Sequence, residues 1–277
     1  MKLSEYLKQF PSKKKVGKGG QKTVYCVERS NMLYALKLIS TPDDPRIKQE
    51  IDILMSLRIQ NVPKICDVGI LEDDTTHDSI LYILEEFIKG KSLREELVSG
   101  PVSLALACKV LETLLSTEIE LEKLGILHRD IKPDNIMIDE SGNVYIIDFG
   151  IAKILGSDSI TRTAAMNGPC TPAYAPMELF ENMKTVQDVR TDLYQIGLTV
   201  YEALTGKNPF TVEIQKKAGV FTRNYTVIPP MVILPGDSKG LLMQYLQMLM
   251  SKQQSQRPST ASDAMRYYKA IRQTIIV

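Results

Sequence analysis

Apolar positions repeat in two different ways along this chain, and the change falls about a third of the way along it. In the first third, short apolar runs bounded by turn residues predict β-strands, most clearly at 32–39 and 80–87. One helix is predicted there, beginning at Asp44-Pro45, where an N-cap residue precedes a proline. Its buried face would consist of Ile47, Ile51 and Leu54.

Beyond Gly90 the apolar positions mostly recur at helical spacing. The helices predicted from that spacing include 103–125, 193–204 and 241–250, with two short strands at 136–138 and 144–147. Everything after about Pro176 is predicted to be helical with loops. We therefore expect an α+β, bilobal fold in a single domain over 1–277, with a small β-rich N-lobe at about 1–88 and a large helical C-lobe at about 89–277. A cleft between lobes is where ligands usually bind.

Composition excludes several classes of function. The 277 residues are 44% hydrophobic and carry a net charge of +1, so no nucleic acid is expected as a partner. Two histidines are too few for a His-rich metal site. The four cysteines are widely spaced without a C-x-x-C pair, which favours free thiols in a reducing, cytoplasmic compartment.

No membrane segment is expected in this chain, because no uncharged apolar run approaches the ~20 residues that a spanning helix needs. The first residues are too polar for a signal peptide. Residues 274–277 are apolar, and two interpretations stay open: the start of a removed membrane anchor, or the end of a docked or fraying final helix.

A glycine-rich segment at 17–24 lies between two predicted strands, and glycines let backbone N–H groups approach phosphate oxygens. Alone it is a weak signal and is more typical of a glycine-rich hairpin turn. Lys37 lies in an apolar strand where an ammonium needs a partner, and Glu50 on the following helix could supply one. The simpler alternative is a lysine that reaches solvent and a glutamate on a wet helix face.

The segment 128–135 reads His-Arg-Asp-Ile-Lys-Pro-Asp-Asn. It places the carboxylate of Asp130, the ammonium of Lys132 and the amide of Asn135 in one short loop. Such groups can orient a hydroxyl, neutralise phosphoryl charge and ligate a divalent metal. Asp148, followed by Phe149 and Gly150, ends the next strand and offers a second carboxylate for Mg²⁺, an ion that prefers oxygen ligands.

Taken in order, these segments resemble the motifs of the protein kinase superfamily over nearly all of residues 10–270, and in particular bacterial, eukaryotic-like serine/threonine kinase domains. The resemblance implies ATP and Mg²⁺ as cofactors, Asp130 as the catalytic aspartate with Lys132 and Asn135 beside it, and Asn135 and Asp148 as metal ligands. It also implies a nucleotide site formed by Val16, Gly17, Gly19, Val24, Ala35, Lys37, Glu50, Glu86, Ile88 and Met137.

Lys132 resembles the lysine of the serine/threonine branch, which implies protein substrates phosphorylated on serine or threonine, and Thr171 resembles the threonine that contacts the aspartate and this lysine. Thr161 and Thr163 are similar to the threonine pair that bacterial kinases autophosphorylate, which would allow a transient homodimer for phosphorylation in trans. Ordinary loop hydroxyls are the alternative. Asp192 is expected to brace the catalytic loop, and Arg257 to pair with Glu178.

The chain departs from the family pattern at four places. Lys22 replaces the third glycine of the phosphate loop, Cys170 replaces the glycine before Thr171, and the usual Ala-Pro-Glu reads Pro-Met-Glu at 176–178. Glu85 falls at the gatekeeper position, normally apolar or threonine, where a carboxylate must find a partner or take up a proton.

Two other functions remain open. A pseudokinase would bind nucleotide or a partner without catalysis, which the intact catalytic residues oppose and Glu85 mildly favours. A small-molecule kinase would use the same two-lobed architecture, but such relatives generally lack the Lys132 arrangement and the threonine-rich activation segment.

Overall fold

The structure, a computed structural model, describes residues 1–18, 22–40, 58–148, 171–210, 212–215, 220–223 and 229–276. The described residues form two compact units. The first contains those of 1–58 and 62–89, and the second contains 59–61, 90–148 and those of 171–276.

The first unit is built on a five-stranded antiparallel sheet with the strand order β1-β2-β3-β5-β4. Its strands are β1 (Lys13–Lys18), β2 (Lys22–Arg29), β3 (Met32–Ser40), β4 (Ile65–Glu72) and β5 (Ser79–Glu86). The two central strands, β3 and β5, are also the two that the sequence predicted most clearly. Their long apolar runs are buried on both faces over most of their length, as a central strand requires.

A short helix that the sequence analysis did not predict, α1 (Leu3–Leu7), covers part of this sheet. Tyr6 and Phe10 are buried in one hydrophobic core with side chains from β2 to β5. Ser4 anchors the helix by donating from its backbone N–H and its hydroxyl to the Asp74 carboxylate, at 2.8 and 2.6 Å. The helix predicted to begin at Asp44-Pro45 lies outside the described residues.

Helices form most of the second unit. They are α2 (Leu93–Glu96), α3 (Leu104–Lys123), α4 (Met177–Phe180), α5 (Val189–Thr205), α6 (Leu241–Leu249) and α7 (Ala261–Arg272). Nearly every residue of α5 is buried, and α3, α6 and α7 all pack against it. The Asp188 side chain caps its first turn, and Gly206 ends it in the left-handed conformation (φ 73°). Within the described parts of the chain, no helix combines the length and the apolar character needed to cross a bilayer.

Two small sheets complete the second unit. The first joins β6 (Gly90–Ser92), β7 (Ile136–Asp139) and β8 (Val144–Ile146). Gly90 is required there, because a Cβ at this position would lie 2.0 Å from the carbonyl oxygen of Ile138.

The second sheet pairs β9 (Val212–Gln215) with β10 (Val220–Arg223). The prediction that everything beyond Pro176 is helical with loops is therefore wrong at this hairpin. Each strand spans only four residues, and the apolar and β-branched side chains of both segments suit a strand.

Candidate active site

The loop at 128–135, between α3 and β7, is held by two side chains of the buried helix α5. The Asp192 carboxylate accepts from the backbone N–H groups of His128 and Arg129, both at 2.7 Å. Gln195 accepts from the N–H of Ile131 at 3.1 Å and donates to the carbonyl oxygen of Arg129 at 3.3 Å. Asp192 and Gln195 lie three residues apart and so share one helix face. The brace expected from Asp192 is present, and Gln195 adds a second one that the sequence analysis missed.

Asp130 is contacted by the side chains of Lys132, Asn135 and Thr171. Its Oδ2 accepts from Lys132 Nζ at 3.0 Å and its Oδ1 from Thr171 Oγ1 at 2.8 Å. Lys132 Nζ also donates to Thr171 Oγ1 at 2.6 Å, so the contact expected of Thr171 with this pair is present. Asn135 Nδ2 donates to the backbone oxygen and to Oδ2 of Asp130, at 2.8 and 3.1 Å. These contacts fix both carboxylate oxygens of Asp130 in a partly exposed position.

Two residues that flank this cluster in sequence have an uncommon backbone conformation. Arg129 and Asp148 have φ values of 62° and 58°, in the left-handed region that non-glycine residues seldom adopt. Such residues cost of order 1–3 kcal/mol each and persist only where surrounding contacts hold them, often at functional sites. For Arg129 those contacts include the bonds from its own backbone N–H and C=O to α5.

The hairpin of β7 and β8 brings Asn135 and Asp148 to the same end of a ladder. Ile136 pairs with Ile146, and beyond that pair the N–H of Ile147 donates to the carbonyl oxygen of Asn135 at 2.8 Å. Asp148 is the next residue. Because Asn135 uses its amide nitrogen on Asp130, its oxygen is the atom suited to a cation. One amide oxygen and one carboxylate fit Mg²⁺, which takes few protein ligands and completes its shell with water and phosphate.

Residues predicted to contact the nucleotide lie on one face of the five-stranded sheet. In the register of the sheet, Gly17 pairs with Val24, and Val24 pairs with Lys37. Ala35, two residues before Lys37, pairs with Glu85 on β5. Side chains alternate along a strand, so Val24, Ala35 and Lys37 share a face. Val16 lies at a register shift in β1.

The other predicted nucleotide contacts are distributed between the two units. Glu86 ends β5, and Ile88 lies just beyond it and is buried. Met137 lies in the second unit, on β7. Gly19, Glu50, Thr161 and Thr163 lie outside the described residues, as do Phe149, Gly150 and Cys170.

Lys37 has a carboxylate partner within the sheet. Its Nζ lies 2.5 Å from Oε1 of Glu85, and the two side chains are only 4% and 7% exposed. From the sequence, Glu85 was expected to need a partner or a proton, and only Glu50 was predicted as a partner for Lys37. The pairing had no local signal, because 48 positions separate the two residues and only the β3–β5 register brings them together.

The predicted ion pair between Glu178 and Arg257 is present and buried. Arg257 Nη1 donates to Glu178 Oε1 at 2.6 Å, and Arg257 also donates to the carbonyl oxygens of Arg190 and Ser251 at 3.0 and 2.8 Å. Thr191 Oγ1 lies 3.3 Å from the same Glu178 oxygen. The pair therefore ties α4 to the start of α5 despite the altered Pro-Met-Glu sequence.

A second cluster, missed by the sequence analysis, connects α2, the catalytic loop and α5. Arg94 donates to Glu202 at 2.7 Å, to Asp134 at 3.3 Å and to the hydroxyl of Tyr174, which itself donates to Glu202. Burial, and then the hydrogen bond to Glu202, raise the pKa of Tyr174 well above its ordinary value. Tyr174 follows Thr171 by three residues, so this cluster fixes the chain beside Thr171.

Comparison with known proteins identifies the family to which this geometry belongs. The family model of the protein kinase domain matches residues 10–268. The chain belongs to the protein kinase family. The family and the mixed α+β fold predicted from the sequence are thus confirmed. The Asp130 cluster lies within the residues that the family model matches.

Similar curated proteins are bacterial serine/threonine kinases. The chain is 32% identical over 248 residues to a probable serine/threonine-protein kinase of Clostridium perfringens. That alignment covers 84% of the chain and 34% of the Clostridium protein. It is 31% identical over 260 residues to the probable kinase PknB of Bifidobacterium longum (90% and 37%), and 32% identical over 207 residues to PrkC of Bacillus subtilis (72% and 30%). The kinase domain thus spans about a third of the length of these relatives.

Proposed function

We propose that this kinase domain transfers the γ-phosphoryl group of ATP, with Mg²⁺, to serine and threonine hydroxyls of proteins. The observation that carries the proposal is the cluster of Asp130, Lys132, Asn135 and Thr171. A carboxylate held at both oxygens, an ammonium on the same carboxylate and an amide tied to the same loop are the groups that phosphoryl transfer to a hydroxyl requires.

In the proposed reaction, Asp130 orients the substrate hydroxyl and receives its proton. The hydroxyl oxygen forms a bond to the γ-phosphorus, the bond from that phosphorus to the β–γ bridging oxygen breaks, and ADP leaves. Thr171 already places a β-hydroxyl 2.8 Å from Asp130 Oδ1, so the carboxylate can accept from a group of this kind. Lys132 is suited to stabilise negative charge on the transferring group.

Asn135 and Asp148 would hold Mg²⁺, which supplies charge neutralisation on the phosphate chain when bound. Lys37 is assigned to the α- and β-phosphates, and Val24, Ala35 and Met137 to the adenine. The sheet register supports the assignment for the first unit, because Val24, Ala35 and Lys37 share one face.

Specificity for serine and threonine rests on Lys132, and regulation on Thr161 and Thr163 in the activation segment. We propose that the domain phosphorylates these two threonines in trans, through a transient homodimer. Mass spectrometry after incubation with Mg²⁺ and ATP alone tests this step. Phosphate on Thr161 or Thr163 supports it, and phosphate on neither in an otherwise active protein rejects it.

The experiment for the main proposal incubates the purified chain with γ-labelled ATP, Mg²⁺ and a generic basic protein. Labelled phosphoserine or phosphothreonine is expected in the acid hydrolysate of the substrate, and chelation of Mg²⁺ by EDTA should abolish it. Nucleotide binding without any transferred label would instead favour a pseudokinase. Label that appears only on small hydroxyl compounds would favour a small-molecule kinase.

A further inference from the structure

Glu85 lies where the sheet itself can hold the phosphate-binding lysine. It pairs across the ladder with Ala35, two residues before Lys37, so the two charged side chains are diagonal neighbours on one face of β3 and β5. The 2.5 Å separation between Lys37 Nζ and Glu85 Oε1 is thus set by two hydrogen-bonded central strands. Because neither residue is on a loop, the sheet fixes the backbone positions from which the two side chains meet.

Burial makes the pairing consequential. At 4% and 7% exposure both groups are removed from water, and an ammonium in such a place needs an opposite charge close by. An ammonium has three N–H donors, while a carboxylate occupies one or two of them. Contact with Glu85 is therefore compatible with simultaneous contact between Lys37 and phosphate oxygens.

We propose that Glu85 is a positioning residue for Lys37, a carboxylate fixed in the sheet that aims the lysine at the nucleotide phosphates. The family pattern gives this task to the residue at Glu50, on a separate helix. In this chain a residue at the gatekeeper position shares or takes over the task, so the placement of Lys37 depends on the β3–β5 register. The inference rests on the proposed function, because it assumes that Lys37 acts on ATP.

The test compares Glu85→Gln with wild type at saturating ATP and substrate, per folded molecule. Glutamine keeps the size of the side chain but removes the charge that holds Lys37. We expect kcat to fall at least about tenfold, because small misplacements of a positioning group cost large factors in rate. Glu85→Asp, which keeps the charge on a shorter stem, should recover part of the loss. The matched control is Glu72→Gln, the same change at the far end of β4, with kcat within about twofold of wild type.

A second arm separates positioning from a general structural role. In a Lys37→Ala background, Glu85→Gln should change the residual rate less than about twofold, because the residue that it positions is already gone. An undiminished tenfold loss in that background would show that Glu85 acts otherwise. Wild-type or higher kcat in Glu85→Gln would also overturn the inference.

The inference stays testable if Glu85→Gln does not fold. Glu85→Asp retains the buried charge, and a several-fold lower kcat in this variant supports positioning, whereas an unchanged kcat rejects it. A wild-type protein that transfers no phosphate at all refutes the proposed function itself. The two failures are therefore distinguishable.

Discussion

The Asp192 carboxylate holds the loop at 128–135 through two of its backbone N–H groups. It is fully buried and accepts two short hydrogen bonds from consecutive backbone N–H groups, one of them on the left-handed residue Arg129. A loop that places a catalytic group without helix or strand needs such external acceptors, because buried backbone donors must be satisfied.

We expect Asp192→Ala to lower the free energy of unfolding by about 3 kcal/mol, because it strands two buried N–H donors at a cost of roughly 1–3 kcal/mol each. Urea denaturation followed by circular dichroism measures the change. Asp134→Ala, which removes an exposed carboxylate of the same loop, serves as the control and should cost less than about 0.5 kcal/mol. Equal stability of Asp192→Ala and wild type would contradict the bracing role.

Glu118, on α3, is a second buried carboxyl besides Asp192, and its environment makes stability depend on pH. Burial, and then the charges of Asp192 and Glu122, raise the pKa of Glu118 well above its ordinary value. A raised carboxyl pKa contributes stability that is complete below the unfolded pKa, about 4.3, and is lost as pH rises toward the folded pKa. Wild type should therefore lose stability between pH 5 and pH 8 through this group.

Glu118→Gln removes that titration. We expect the loss of unfolding free energy from pH 5 to pH 8 to be smaller in the variant than in wild type, because an amide does not titrate. Denaturant titrations at the two pH values provide the measurement. Parallel pH dependences of the two proteins would rule out the proposed effect of Glu118.

At the scale of elements, the buried pair of Glu178 and Arg257 fixes the segment that follows Thr171. Both side chains are almost fully buried (6% and 0% exposed), and the Arg257 guanidinium also lies 4.8 Å from the ring centre of Tyr194. Removing one partner of such a buried ion pair destabilises a protein strongly, because the other charge stays buried and uncompensated. The intact pair, however, is often no more stabilising than well-packed apolar residues in the same place.

Arg257→Met should therefore lower the unfolding free energy by about 3–5 kcal/mol, because it leaves the Glu178 carboxylate buried without its partner cation. The Glu178→Met/Arg257→Met double variant should lose less than the sum of the single changes in a denaturation series. Arg190→Met breaks a partly exposed pair with Asp188 nearby and should cost about 1 kcal/mol or less. Additive losses in the double variant would mean that the two residues do not act as a pair.

The elements also show what the sequence could predict and why the rest escaped. Long periodic segments such as α3 and apolar runs such as β3 and β5 were predicted to within a few residues, because their signal extends over many positions. Helix α1 spans five residues and each strand of the β9–β10 hairpin four, which is too short for periodicity to register. Tertiary contacts stabilise them: α1 is anchored by Asp74, some 70 positions away.

The site shows the same division. Asp130, Lys132 and Asn135 lie in one loop, so their spacing carried the prediction of a catalytic cluster. The pairing of Lys37 with Glu85, and the cluster of Arg94, Tyr174 and Glu202, join residues that are 28 to 108 positions apart. Such contacts are set by strand register and helix packing, and a single sequence carries no local record of either.

At the scale of the whole molecule, the chain is a kinase domain that spans about a third of the bacterial serine/threonine kinases it matches. The proposed chemistry uses only groups that this chain contains, and it can be measured on this chain alone. The domain should therefore show phosphoryl transfer without added segments, and its rate should depend on the Asp130 carboxylate.

The role of Asp130 can be measured by comparing phosphoryl transfer and ATP binding in Asp130→Asn, Asp134→Asn and wild type. Asparagine at 130 cannot receive the proton of the substrate hydroxyl, and proton transfer to a positioned group contributes roughly 10²–10⁴-fold. We expect Asp130→Asn to bind ATP as wild type does but to turn over at least about 100-fold more slowly, while Asp134→Asn stays within about twofold. Wild-type turnover in Asp130→Asn would rule out the proposed role of Asp130.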